Sequence, residues 1–286
     1  MFFILKPVPI TVQIDLHTHS TASDGRLAPS ELVSHAAQAG VEVLALTDHD
    51  GTDGLEEAHC AAADAGIKLI NGIELSVTWN KRTVHIVGLN LDPDYAPLRE
   101  GIQRLQDFRE IRAREMALKL EKSGIKGAYD GARRFSGGKM LGRLHFANFL
   151  VDAGHAKSVR HVFKHYLVNN KPGHVTGDWA TLEDAVSWIT GSGGIAVIAH
   201  PARYKLTRTK LRRLIKDFVA AGGRAIEVVS GSHDINETKT MACHASDFDL
   251  YSSAGSDFHD PNFPWIKLGK LPPLPQQCKP VWDLFL

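Results

Sequence analysis

Short apolar, β-branched runs alternate with amphipathic helical stretches along most of the chain, and most of these runs end in a histidine or a carboxylate. The patterning predicts strands over Ile14–His17, Val41–Thr47, Lys68–Glu74, Thr83–Leu89, Gly194–His200, Ala225–Ser230 and Leu250–Asp257. Helical patterns lie between them. Pro29 to Ala39 opens on proline and stops at Gly40, and Asp53 to Ala65 stops at Gly66. Thr181, three residues before Asp184, opens a further helix as a capping pair. Thr209 to Ala221 stops at a Gly-Gly pair, and Ile235 to Ser246 completes the set. Strands spaced by helices read as parallel βα units, and about seven such units predict an α/β fold that closes, or nearly closes, into a barrel. No GxGxxG-type loop supports the alternative, an open doubly wound sheet.

The rhythm breaks after residue 96. Leu98, Ile102, Leu105 and Phe108 keep helical spacing, the helix runs on to Gly124, and more helix is expected over Leu144–Val151 and Val159–Tyr166. Residues 97–178 therefore read as a helical insertion that caps the site, with the barrel in 13–96 and 179–286 and residues 1–12 as a disordered leader. That leader, MFFILKPVPI and the two residues after it, is apolar but interrupted by prolines and lacks the basic start and cleavage site of a signal peptide.

The chemistry lies at the strand ends. The first strand ends in Asp-Leu-His-Thr-His, and an extended backbone points His17 and His19 to one side. The second ends in Asp48-His49-Asp50, the third in Glu74, the fifth in His200 and the seventh in Asp257-Phe258-His259, while His85 stands within the fourth. Each residue alone has a bland explanation, as a hydrogen-bonded core histidine or a turn carboxylate. The set does not, because β/α barrels build their sites at that face from the ends of several strands. So many carboxylates and imidazoles converging without cations would be costly to bury. A donor set of imidazole and carboxylate, with no thiolate, suits Mn, Zn or Fe.

A formal net charge of +1 gives no sign of a nucleic-acid coat or a membrane surface, so an anionic substrate must be held by local charge. Three scattered cysteines without CxxC spacing fit reduced thiols in a cytoplasmic protein. No apolar run reaches transmembrane length.

The run DLHTHSTASDGRLAPSELVSHAAQAGVEVLALTDHD, with the later IAHPARY, EVVSGSH and GSDFH segments, resembles the PHP family, the polymerase and histidinol phosphatase superfamily. The similarity extends over roughly Gln13 to Leu286. Within the family the chain is most similar to the short bacterial enzymes that remove phosphate from nucleoside 3′,5′-bisphosphates or trim RNA from its 5′ end. The resemblance implies a distorted (β/α)7 barrel with a helical insertion and up to three divalent metal ions. It implies that His17, His19, Glu74 and Asp257 hold the first, that Glu74, His85 and His200 hold the second with Glu74 bridging, and that Asp24, His49 and His259 hold the third. Many relatives have His where this chain has Asp24.

The activity so implied is hydrolysis of a phosphate ester, for which metal-bound hydroxide is the expected nucleophile, with His259 or His200 assisting the leaving oxygen. Arg143 and Arg203 are the first candidates for the remaining phosphate oxygens, because a guanidinium forks onto them. Family members usually carry Pro where this chain has Leu144. Lys171, Ser230 and His233 are secondary candidates for substrate contact. The basic run Arg109, Arg112 and Arg114, interleaved with Glu110 and Glu115, reads as a solvated helix face able to track an RNA backbone. Histidines 35, 59, 155, 161, 165 and 244 read as surface residues. The expected partners are a small phosphorylated nucleotide and short single-stranded RNA, with no obligate protein partner evident. Two alternatives stand beside this reading: a histidinol phosphate phosphatase and a metal-stabilised scaffold without activity.

Overall fold

The computed structural model describes residues 12–136, 140–263 and 265–286. Residues 1–11 of the expected leader lie outside them. Among the described residues seven strands follow one another in space in chain order: β1 (Ile14–Thr18), β2 (Val43–Leu46), β3 (Lys68–Trp79), β4 (Arg82–Leu89), β5 (Ile195–Ile198), β6 (Ala225–Ser230) and β7 (Tyr251–Gly255). The first and last approach without a full ladder. His19 N–H donates to Phe258 O at 2.9 Å and Asp257 N–H donates to His17 O at 2.8 Å, so the barrel is nearly closed at this seam.

The expectation of parallel βα units holds for β1–β2–β3 and β5–β6–β7 but fails at β4, which is antiparallel to both its neighbours. The reason is local. β3 does not stop at Glu74 but runs to Trp79, and a two-residue loop, Asn80-Lys81, returns the chain directly into β4. Both loop residues have positive φ, 47° and 61°, the conformation whose twist matches a tight hairpin. The hairpin register sets Ser76 opposite His85 and Glu74 opposite Val87. Side chains of alternate residues share a face, so Glu74, Ser76 and His85 point the same way.

The helices pack outside the sheet: α1 (Pro29–Gln38), α2 (Leu55–Ala65), α7 (Leu182–Gly191), α8 (Arg208–Ala220) and α9 (Ile235–Asp247). Thr181 Oγ1 caps α7 by accepting from Asp184 N–H at 3.0 Å. Asp234 and Glu237 form a reciprocal capping box on α9. Between β4 and β5 the chain forms α3 (Ala96–Lys122), α4 (Ala128–Phe135), α5 (Arg143–Asp152) and α6 (Val159–Val162), the last continuing into a wider turn to Leu167. Met116, Leu120, Phe146, Leu150 and Leu167 give this segment a core of its own. Within α3 the reading of a solvated basic face is corrected. Arg109 and Arg112 are buried, and only Arg114 is exposed. Arg109 donates from Nε to Asp50 Oδ2 at 2.6 Å and from Nη2 to Ser76 Oγ at 2.9 Å, tying α3 to the barrel mouth. His244, expected on the surface, is buried on α9, whereas His35, His59, His155, His161 and His165 are exposed.

Candidate metal centre

The barrel mouth gathers residues that are far apart in sequence around one carboxylate. Glu74 is fully buried. Its Oε1 lies 2.9 Å from His85 Nδ1 and 3.0 Å from His200 Nε2. Its Oε2 lies 2.8 Å from His49 Nδ1, 3.3 Å from His19 Nε2 and 3.4 Å from His17 Nε2. His17 Nε2 and His19 Nε2 face each other at 3.1 Å, as the shared face of an extended strand requires. Asp257 Oδ1 stands 3.3 Å from His19 Nε2 and 3.6 Å from His17 Nε2. On the open side, His259 Nε2 is 3.2 Å and His49 Nε2 3.9 Å from Asp24 Oδ1.

Among the described residues four overlapping groups emerge, each with donor atoms within 4.8 Å of one another: His17, His19 and Asp257; His17, Glu74 and His200; His49, Glu74 and His85; and His19, Asp24, His49 and His259. The fit to cations rests on more than proximity. Glu74 Oε2, His49 Nδ1 and Asp24 Oδ1 are buried and make no hydrogen bond, although Glu74 Oε2 and His49 Nδ1 are in close contact. Polar atoms this buried normally find partners. Ligand atoms that converge on one region and leave buried lone pairs unmatched fit a cation between them.

The charge balance agrees. Burial disfavours the ionised form of Glu74, yet His85, His49 and His17 around it hold its carboxyl well below the usual range. Burial likewise opposes ionisation of Asp257 and is overcome by Arg203 and His17. Asp24 is held low, against burial, by His259 and His49. Burial alone would lower His19, but the Asp257 and Glu74 carboxylates facing it raise it to about 10. His49 goes the other way, to about 4, because burial outweighs Glu74 and Asp24. The surrounding carboxylates thus stay anionic, and the nitrogens near them either hold a proton in place of a cation or sit neutral.

Several residues outside the expected set build this centre. Glu227, on β6, accepts from His17 Nδ1–H at 2.5 Å with one oxygen and from His200 N–H at 2.5 Å with the other. It orients two imidazoles at once. Asp48 is buried and accepts from Ser20 N–H, Ser20 Oγ–H and Ser23 Oγ–H, which pins the turn leading to Asp24. Asp15 accepts from Ser256 N–H at 2.8 Å and so fixes the β1–β7 seam, and burial raises its carboxyl to about 6. A lone carboxylate inside an apolar strand, as in Ala-Ile-Glu-Val-Val, is the signal that marks Glu227. His200 and Asp257 have φ of 29° and 58°, so two of the strand-end residues are held in a sparsely populated backbone region.

A cavity of about 630 Å³ opens onto the cluster. Asp24, His49, Glu74, His85, His200, Asp257 and His259 line its floor, and Arg109, Arg112, Arg143 and Arg203 line its walls. Arg203 is paired with Asp257 through Nη1. Arg143 opens α5, directly after Gly142, so Leu144 in place of proline leaves the helix start intact. Arg112 stacks over Trp179 with its carbon 5.4 Å from the ring centre. Burial, together with the charges of Arg143 and Arg109, pushes Arg112 down to about 9. Lys171 is exposed and outside the cavity lining. From the Ser230–His233 loop the cavity receives Gly231 and Ser232, whereas Ser230 is buried and His233 contacts Val228 O through Nδ1.

A family model described as PHP domain matches residues 15–228. A 3′,5′-nucleoside bisphosphate phosphatase of Chromobacterium violaceum is 51% identical over 270 residues, covering 94% of this chain and 95% of that protein. A 5′-3′ exoribonuclease of Haemophilus influenzae is 45% identical over 276 residues, covering 96% of this chain and 100% of that one. A solved structure of an amidohydrolase from Chromobacterium violaceum with bound sulfate superposes with a TM-score of 0.91 at 50% identity, over 95% of each chain.

Proposed function

The chain belongs to the PHP family, and we propose that it is a metal-dependent phosphoesterase that removes the 3′-phosphate from nucleoside 3′,5′-bisphosphates and trims short single-stranded RNA from its 5′ end. The observation that carries this reading is the joining of a cation-ready His, Glu and Asp floor to arginine walls in one cavity. The two relatives named above carry the two halves of the activity in their names.

We assign His17, His19, Glu74 and Asp257 to one metal ion, Glu74, His85 and His200 to a second, and Asp24, His49 and His259 to a third, with Mn, Zn or Fe as candidates. The contacts of Glu74 through both oxygens support a bridging role. Divalent cations bound there would supply a water made more acidic and a clamp on phosphoryl oxygens. The protein does the rest. Glu227 and Asp48 hold ligands and ligand-bearing turns in place. Arg143 and Arg203 present forked donors to phosphate oxygens at the cavity wall. His200 and His259 serve as ligands more readily than as proton donors, because their Nε2 atoms face Glu74 and Asp24.

In this reading residues 13–96 and 179–286 form the barrel and 97–178 cap the pocket. No helix among the described residues is long and apolar enough to cross a membrane. The free cysteines Cys60, Cys243 and Cys278 suit a reducing cytoplasm. The test is release of inorganic phosphate from 3′-phosphoadenosine 5′-phosphate, abolished by a chelator and restored by added metal. No release with Mn, Zn and Fe each supplied would exclude the reading.

A further inference from the structure

The rim of the catalytic cavity carries an aromatic pair that neither the metal floor nor the arginine walls employ. Phe263 and Trp265 lie in the segment that follows His259, and both line the cavity. Their rings are nearly parallel, 11° apart, with centroids at 5.5 Å. Trp265 is 71% exposed. A tryptophan this open forfeits most of the burial that makes the side chain favourable, and here it is open at the entrance to an arginine-walled pocket. Asp260 holds the segment in shape by accepting from Asn262 N–H at 2.8 Å and, through its backbone oxygen, from Phe263 N–H at 3.1 Å.

The polar character of the lining also matters. Its described residues include His, Asp, Glu, Arg, Ser and Thr, but no Asn, Gln or Lys. The carboxylates among them, Asp24, Glu74 and Asp257, and most of the imidazoles already face one another at the floor. What remains at the rim has a flat apolar face, and no side-chain amide among the described lining residues is there to read a base edge.

We propose that Phe263 and Trp265 form a stacking platform for the nucleobase of the substrate, and that the site therefore accepts all four bases with similar affinity. The inference rests on the nucleotide phosphatase reading and adds the base subsite to it. Every base has a π-face, so stacking binds without selecting, whereas selection requires hydrogen bonds to base edges. Phosphate binding at the floor and stacking at the rim would hold the two ends of one nucleotide.

The test compares 3′-phosphoadenosine 5′-phosphate with an abasic 1,2-dideoxyribose 3,5-bisphosphate on wild type, Trp265→Ala and Trp265→Phe. Trp265→Ala should raise KM for the nucleotide roughly tenfold at unchanged kcat, leave KM for the abasic substrate unchanged, and be largely rescued by Trp265→Phe. The 3′,5′-bisphosphates of guanosine, cytidine and uridine should show KM values close to that of adenosine. A Trp265→Ala variant with unchanged nucleotide KM, or with both KM values raised alike, would overturn the platform. If wild type releases phosphate from neither substrate, the phosphatase reading falls, and binding alone decides the platform. AMP, but not ribose 5-phosphate, should then quench the fluorescence that wild type has and Trp265→Phe lacks. Equal quenching by both, or none, would refute it.

Discussion

Glu227 reaches His17 across the barrel at 2.5 Å, and its second oxygen accepts the backbone N–H of His200 at the same distance. One buried carboxylate therefore sets the ring orientation of one metal-site histidine and the strand end that carries another. Glu227→Gln keeps the size and an acceptor but removes the charge that fixes the His17 tautomer. Partners of this kind typically contribute roughly 10- to 100-fold in metal affinity or activity. We expect a loss in that range, with the circular dichroism spectrum unchanged. Wild-type affinity in Glu227→Gln would show that His17 is oriented by other means.

Most of the floor was legible because strand period and strand ends expose it. His17 and His19 share a face by alternation, and His49, His200, Asp257 and His259 stand where βα strands stop. Glu74 was legible as a residue but not as a position, since the β3–β4 hairpin needs positive φ at both Asn80 and Lys81, which Asn tolerates but Lys does not announce. Glu227 lies mid-strand, so strand ends do not expose it, and only its standing as a lone carboxylate among apolar neighbours marks it. Arg109 and Arg112 were misread as a solvated face, because glutamates at helical spacing suggested local pairing. Their real partners, Asp50 and Trp179, are distant in sequence.

Metal binding should be strongly pH-dependent. His19, raised from 6.5 to about 10 in the metal-free protein, carries a proton at neutral pH that a cation must displace. Apparent affinity should therefore climb with pH until about 10, and metal addition near neutrality should release protons. The stability of the metal-free protein runs the opposite way. A group whose folded pKa is raised contributes fully below its unfolded value near 6.5, and that contribution is lost as pH rises through about 10. Chemical denaturation with chelator present, across that window, checks the sign.

Arg109 secures the helical cap to the barrel by pairing with buried Asp50, which also accepts from Ser76 N–H at 2.6 Å. Arg109→Ala leaves a buried carboxylate uncompensated, and such a change costs about 3–5 kcal/mol. Arg114→Ala, on the exposed side of the same helix beside Glu110, should cost less than about 1 kcal/mol. Urea midpoints of the two variants should differ accordingly.

Gly255 ends β7 against β1, where an added Cβ would lie 2.3 Å from the Cβ of His17. Gly255→Ala must displace His17 or open the seam. Overpacking of this sort costs about 1–3 kcal/mol, and here it should also lower metal content. A thermal shift without loss of metal would mean that the seam yields and His17 does not move.

These scattered side chains converge to hold cations. Elemental analysis of wild type and His17→Ala, each purified after incubation with Mn, Zn and Fe and exhaustive dialysis, tests this most directly. Wild type should retain more than one metal equivalent per chain, and His17→Ala clearly less. Wild type free of metal, or two proteins with equal content, would contradict it.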